Sequence, residues 1–309
     1  MLTSLEFVGS QVLILLIIMC IGFAAAKLRL LTEAGIKSIT ELMLYIVTPC
    51  MLINAFQRQF DMALLRGFLI TIVASALIFA IEIVIASLII KDKDDARRRV
   101  LQFAMVFSNC GYMALPLLQA LMGSEAVLYG AAYNAVYTVY VWTYGVYLMG
   151  GGSEKISLRK ALVNPGIIGV TIGLILFFCS VTLPKLIAQP IEYMASLNTP
   201  LPMLIIGFYL SSIDFRKVLS TWNERLMMLM RLVVVPLAAL GIMYLCGVRG
   251  VPLVATVVCT SAPIASTTTM FATKYDREPI LASSCVAVST LISVVTMTLI
   301  VSFAMFIGG

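Results

Sequence analysis

Phe107-Ser108-Asn109-Cys110-Gly111-Tyr112-Met113-Ala114-Leu115-Pro116 and Cys259-Thr260-Ser261-Ala262-Pro263-Ile264-Ala265-Ser266-Thr267-Thr268-Thr269 decide how this chain is read. Each stretch lies inside a long apolar run, and each carries residues that interrupt a helix. Pro116 has no backbone N–H, so a continuous helix would leave the Tyr112 carbonyl unpaired, and Gly111 weakens the turn just before it. Pro263 does the same to the carbonyl of Cys259. Ser108 and Asn109 bring hydrogen-bonding side chains to the first turn, and Ser261, Ser266 and Thr267 bring them to the second. The sequence therefore predicts two helices that break in mid-run.

Composition fixes the medium around them. Of 309 residues, 61% are hydrophobic and 12% charged, and the mean hydropathy is +1.05. Soluble domains are closer to ~45–50% apolar and ~25% charged. The chain is thus read as an all-α polytopic membrane protein. Ten spans are expected, over 8–27, 36–57, 62–90, 98–121, 126–149, 160–182, 186–212, 222–247, 251–272 and 279–306. The run Val12–Ala26 has no basic stretch ahead of it, only Glu6, so no cleavable signal peptide is expected. Seven cysteines lie in apolar runs without a CxxC pair and read as small buried hydrophobes. Histidine is absent. There is no phosphate-binding glycine loop with its lysine, no metal-ligand cluster and no nucleophile–base pair. The expectation is a protein that is not an enzyme, carries no cofactor and does not bind nucleic acid, despite its net charge of +6.

The charge has a side. Seventeen of the 21 Lys and Arg residues fall in or near the connections after spans 1, 3, 5, 7 and 9, with Lys91–Arg99 the densest run; Arg58, Arg66, Lys185 and Arg249 fall on the other side. The positive-inside rule then puts the rich side in the cytoplasm and both termini outside, in a bacterial inner (plasma) membrane.

The two halves echo each other. Thr48-Pro49-Cys50-Met51-Leu52-Ile53 returns as Thr199-Pro200-Leu201-Pro202-Met203-Leu204-Ile205, and Glu125-Ala126-Val127-Leu128 as Glu278-Pro279-Ile280-Leu281. Five spans per half is an odd number, so the second half would insert upside down. Residues 1–150 form one repeat, 151–160 a cytoplasmic linker and 161–309 the inverted repeat. Paired interruptions at equivalent places in inverted repeats point to the substrate site of a secondary transporter. Half-helix N-termini at such breaks suit a carboxylate. Ser108, Asn109, Ser261, Ser266 and Thr267 are the candidates to bind it, with Gly111, Tyr112, Pro116 and Pro263 shaping the breaks and Asn134 lining the cavity beside Tyr133. Glu82, inside span 3, is a candidate to carry a coupling proton; a structural pairing or a position at the cytoplasmic interface is the other reading. Arg231 reads as a long side chain snorkelling from a helix end. The tyrosines of span 5 read as packing and interface anchors.

Phe107-x-Asn109-x-Gly111-Tyr112…Pro116, Asn164-Pro165-x-x-x-Gly169 and Pro263, in a ten-span layout, resemble the auxin efflux carrier family, which includes the plant PIN-FORMED exporters and bacterial carriers of malate- or malonate-like acids. The resemblance covers essentially the whole chain. It implies a fold similar to bile-acid and sodium–proton transporters, with crossed helices 4 and 9. Helices 1, 2, 6 and 7 would form a scaffold and homodimer interface, and helices 3–5 and 8–10 a transport domain that slides as an elevator. The function implied is secondary transport of small mono- or dicarboxylates, coupled to H+ or Na+. Two alternatives stand beside it: sodium-coupled uptake of a larger acid, and a ligand sensor that does not transport.

Overall fold

The computed structural model describes residues 2–57, 59, 61–151, 165–211 and 219–308. The linker 151–160 falls almost wholly outside the described residues, as do Asn164, Arg58, Arg216 and Lys217. The described chain is helical. Helices α1 (Leu2–Lys27), α2 (Glu33–Ala55), α3 (Met62–Ile89), α4 (Asp95–Val106) and α5 (Leu115–Tyr140) make up the first part. The second comprises α6 (Pro165–Phe178), α7 (Lys185–Ser196), α8 (Pro200–Leu210), α9 (Trp222–Leu245), α10 (Gly250–Ser261), α11 (Thr267–Lys274) and α12 (Pro279–Gly308).

Polar starts set the helices going. Asp61 accepts from Ala63 N at 2.7 Å ahead of α3, and Asp94 from Ala96 N at 2.9 Å ahead of α4. At α9, Thr221 and Glu224 cap each other's backbone reciprocally. The faces then reveal the solvent. On α3, Leu69, Val73, Leu77, Val84 and Leu88 are exposed, while Thr71, Ser75 and Glu82 are buried. A water-soluble helix would show the reverse pattern. An apolar stripe outward and polar residues inward mark a helix immersed in lipid. Of the described helices, α2, α3, α9 and α12 are each long and apolar enough to cross a bilayer. The same logic corrects the expectation for the cysteines. Cys110, Cys259 and Cys285 are buried, but Cys20, Cys179 and Cys246 are exposed, because a thiol facing lipid needs no cover from protein.

Two sets of helices pack internally. α1 lies along α8, and the C-terminal half of α2 packs on α6 and α7. The other set gathers α3, α4, α5, α9, α10, α11 and α12, with α10 wedged between α5 and α12. The first set is held by close backbone approach. A Cβ on Gly207 would lie 2.0 Å from the Met19 carbonyl oxygen, and one on Gly22 would lie 2.5 Å from that of Leu204. Small residues admit this contact, which drives helix association where lipid removes the hydrophobic incentive.

The polar ends of the bundle sort as the charge count anticipated. At one end Asp95 meets Arg99 at 2.6 Å and Arg277 at 3.6 Å. Arg99 Nη1 donates to Leu148 O at 2.8 Å, and Asn223 Nδ2 to Lys91 O at 3.0 Å. Arg97 pairs with Glu224, which is 1% exposed. The segments before α4, after α5, before α9 and between α11 and α12 therefore share one end. Gln57 Oε1, accepting from Leu183 N at 2.9 Å, joins two connections assigned to the opposite end.

Prolines behave differently from expectation. Pro116 does not break its helix. It sits in the first turn of α5, two residues after a π-turn at Cys110–Ala114. Pro49 and Pro236 likewise follow π-turns at Met43–Val47 and Met230–Val234. The wider turn makes room for the ring. Spans 4 and 5 are separated at Gly123, whose φ of 72° only glycine adopts readily. The single span expected over 186–212 is instead two helices, α7 and α8, parted at 197–199 where Pro200 opens α8.

Gly207→Val should force α1 and α8 apart at a cost of about 1–3 kcal/mol or more; thermal unfolding of the detergent-solubilised protein will show it as a lowered melting temperature. Glu224→Ala removes both the cap and the partner of Arg97, whereas Glu224→Gln keeps the cap. The alanine variant should therefore melt lower than the glutamine variant, by about 1 kcal/mol for the cap alone.

Candidate functional site

Four half-length segments meet inside the second helix set. α4 and α10 each have 12 residues, about 18 Å of helix, which is little more than half of a ~30 Å hydrocarbon core. α4 ends at Val106 and α10 at Ser261. The chain then runs extended through 107–109 and 262–265 before turning helical again.

The two extended pieces hydrogen-bond to each other. Asn109 N donates to Pro263 O at 2.7 Å, and Ala265 N donates to Phe107 O at 2.9 Å, an antiparallel bridge centred on Ser108 and Ile264. Ile264 N finds Ser289 Oγ of α12 at 3.1 Å. Each interruption thus pairs one N–H and one C=O of the other. Aromatic rings brace the first one: Phe107 packs on Phe103 at 4.5 Å and on Phe79 at 6.1 Å between ring centroids. Tyr133 and Tyr140 of α5 pack on Phe79 in turn, in keeping with a packing role for this tyrosine series.

The predicted site residues separate into three groups. Ser108, Asn109 and Pro263 are buried at the bridge itself. Gly111, Tyr112, Asn134, Ser266 and Thr267 are half-buried around it. Asn134 Oδ1 is 3.5 Å from Cys110 Sγ, and a Cβ on Gly111 would come within 3.3 Å of it. Tyr137 OH and Thr267 Oγ1 share a hydrogen bond of 2.7 Å across the halves. Ser261 and Pro116 stand apart. The Ser261 hydroxyl donates to Val257 O at 2.5 Å in its own helix. Pro116 lines a separate cavity of about 180 Å3 between α5 and the α2, α7 and α8 side, together with Asn54, Gln119, Glu192 and Asn198. Among the described residues, the buried Asn109 Nδ2, Thr268 Oγ1 and Tyr133 OH lack hydrogen-bond partners. Buried polar atoms are normally satisfied, by protein or by ordered water, which sets these three apart from the surrounding core.

Arg231 is the residue that the sequence pattern misplaced. It does not snorkel: it is 0% exposed and lies at the crossing. Its Nη1 donates to Met105 O and Val106 O, both at 3.2 Å, and its Nη2 donates to Thr260 O. Glu82 Oε1 lies 3.4 Å from Nη1, and Glu82 is 2% exposed. Glu82 is thus buried beside Arg231 and away from the cytoplasmic interface, with its Oε2 left without a partner. A signal for Arg231 was present in the sequence. It lies nine residues beyond Trp222, where α9 begins, about 13.5 Å along the axis and too deep for the side chain to reach the interface.

A family model described as membrane transport protein matches the chain over residues 7–158 and 152–301. An uncharacterized transporter of Methanothermobacter thermautotrophicus is 26% identical over 300 residues, covering 95% of this chain and 98% of that protein. An uncharacterized transporter of Methanocaldococcus jannaschii is 22% identical over 298 residues, covering 93% and 96%. The matches span the helices that build the crossing and extend to nearly the full chain. With its lipid-facing helices, the chain is a multi-pass membrane protein, a transporter and not an enzyme, and it belongs to the auxin efflux carrier-like family of membrane transport proteins.

Proposed function

We propose that this protein is a secondary carrier of small organic anions, mono- or dicarboxylates, bound at the bridge between the two helix interruptions. The observation that carries the reading is the bridge with its unsatisfied surroundings. Asn109 Nδ2 and Thr268 Oγ1 are buried without partners, and Ser266, Thr267 and Asn134 are half-buried beside them. Two helices restart here, at Cys110 and Thr267, and a helix start offers free N–H groups and the positive end of its dipole. Amide, hydroxyl and backbone donors together suit a carboxylate.

In this reading the chain is two inverted five-span repeats. The set holding α1, α2, α6, α7 and α8 is the scaffold and dimer interface. The set holding α3–α5 and α9–α12 carries the substrate and slides against it, with the cavity beside Pro116 at their boundary. The arginine-rich end faces the cytoplasm and both termini face outward. Glu82, one of whose oxygens is free, carries the coupling proton.

Thermal-shift measurements against a panel of carboxylates test the substrate class. A bound acid at ~100 times its Kd stabilises by ~2.7 kcal/mol, and Asn109→Ala should abolish that shift while leaving a folded protein. Silence from every acid, in protein that melts cooperatively, would sink the carboxylate assignment. In proteoliposomes, Glu82→Gln should remove the response of uptake to an imposed proton gradient; an unchanged response would return Glu82 to a purely structural role.

A further inference from the structure

Arg231 stands where a carrier built on broken helices would otherwise hold a small cation. α4 and α10 both end at the crossing, and their last carbonyls have lost the donors of a following turn. Each end carries a partial negative charge of about −0.5. Converging half-helix C-termini of this kind are where coupling cations are coordinated. The acceptors gathered here are Met105 O, Val106 O, Thr260 O and Glu82 Oε1, and one guanidinium engages all of them. Two half-charges of about −0.5 sum to about −1 and offset the arginine's charge, with Glu82 beside them, and Arg231 is fully buried. A metal ion entering the same pocket would meet occupied oxygens and a like charge.

We infer that Arg231 is a tethered cation filling the coupling-ion position, so that the crossing binds no sodium. The planar fork of five donors suits this task, since it reaches carbonyls on two helices and a carboxylate on a third. Lysine would bring the charge without the fork. The inference bears on coupling only if the protein is the carrier proposed above. Its test reads the cation site directly and needs no transported acid.

Purified protein is melted in sodium chloride and in choline chloride of equal strength. The same is done for Arg231→Ala and Arg231→Lys, with and without about 10 mM guanidinium chloride, far below the molar range in which it denatures. The wild type should melt identically in the two salts and ignore guanidinium. Arg231→Ala should melt lower and be raised saturably by guanidinium, by roughly 2–4 °C, but not by choline. Arg231→Lys should fall between them. A saturable sodium-specific stabilisation of the wild type would overturn the inference, and that arm does not depend on any variant folding. So would Arg231→Lys melting as high as the wild type, or a folded Arg231→Ala that guanidinium does not rescue. Failure of the carboxylate reading would look different: no acid would shift the melt while the cation results held.

Discussion

Hydrocarbon offers no water to an unpaired amide, and the rest of this structure is arranged around that fact. Interrupting a helix inside a bilayer exposes N–H and C=O groups, each costing several kcal/mol if left alone. Here the two interruptions solve the problem jointly. The amide of Asn109 uses the Pro263 carbonyl, and the amide of Ala265 uses the carbonyl of Phe107. Three carbonyls at the ends of α4 and α10, those of Met105, Val106 and Thr260, go to Arg231. Neither interruption would be tolerable without the other, so the two halves of the chain are bound at their weakest points.

A buried arginine is expensive by itself. Its desolvation is recovered only with near-complete hydrogen bonding and charge balance. The crossing supplies charge balance and acceptors for both terminal nitrogens, through two helix ends and Glu82, while Nε is left without a partner. The arrangement is also demanding in the other direction: removal of one partner from a buried pair typically costs 3–5 kcal/mol, because the survivor keeps its charge. The position of Arg231 within the π-turn at Met230–Val234 belongs to the same economy. That turn accommodates Pro236 and locally rewinds α9, which sets the direction in which the guanidinium leaves the helix.

Much of this was legible in the sequence, and the parts that were not share one cause. The apolar runs, the asymmetric lysines and arginines, and the polar clusters at Ser108-Asn109 and Ser266-Thr267 each carry their meaning locally. They gave the membrane class, the shared ends and the neighbourhood of the two helix interruptions. The prolines misled, because a missing N–H says that a carbonyl must be rehoused, not how. At Pro116 the ring sits in the first turn after a wider turn and the helix continues, while the chain breaks earlier, at 107–109. That break is selected by its partner strand at 263–265, more than 150 residues away in sequence, which no local pattern encodes. Arg231 misled for the same reason. Its partners lie on α3, α4 and α10, and only their convergence makes burial cheaper than reaching for the interface.

The location of these bonds also bears on the proposed motion. The bridge, Arg231, Glu82 and Ser289 all belong to the set of α3–α5 and α9–α12, so the hydrogen bonds that join the two interruptions lie within that set. The two sets instead meet through helix faces and the cavity that holds Asn54, Gln119, Glu192 and Asn198. A body whose interior polar groups are paired internally can slide along its neighbour without exposing a single broken backbone bond to lipid. Had the interruptions been satisfied by donors on α2 or α8, every displacement would break those hydrogen bonds in a medium that offers no replacement. Internal closure of the crossing is therefore the condition that an elevator-type carrier must meet, and the backbone bridge together with the tethered guanidinium provides it.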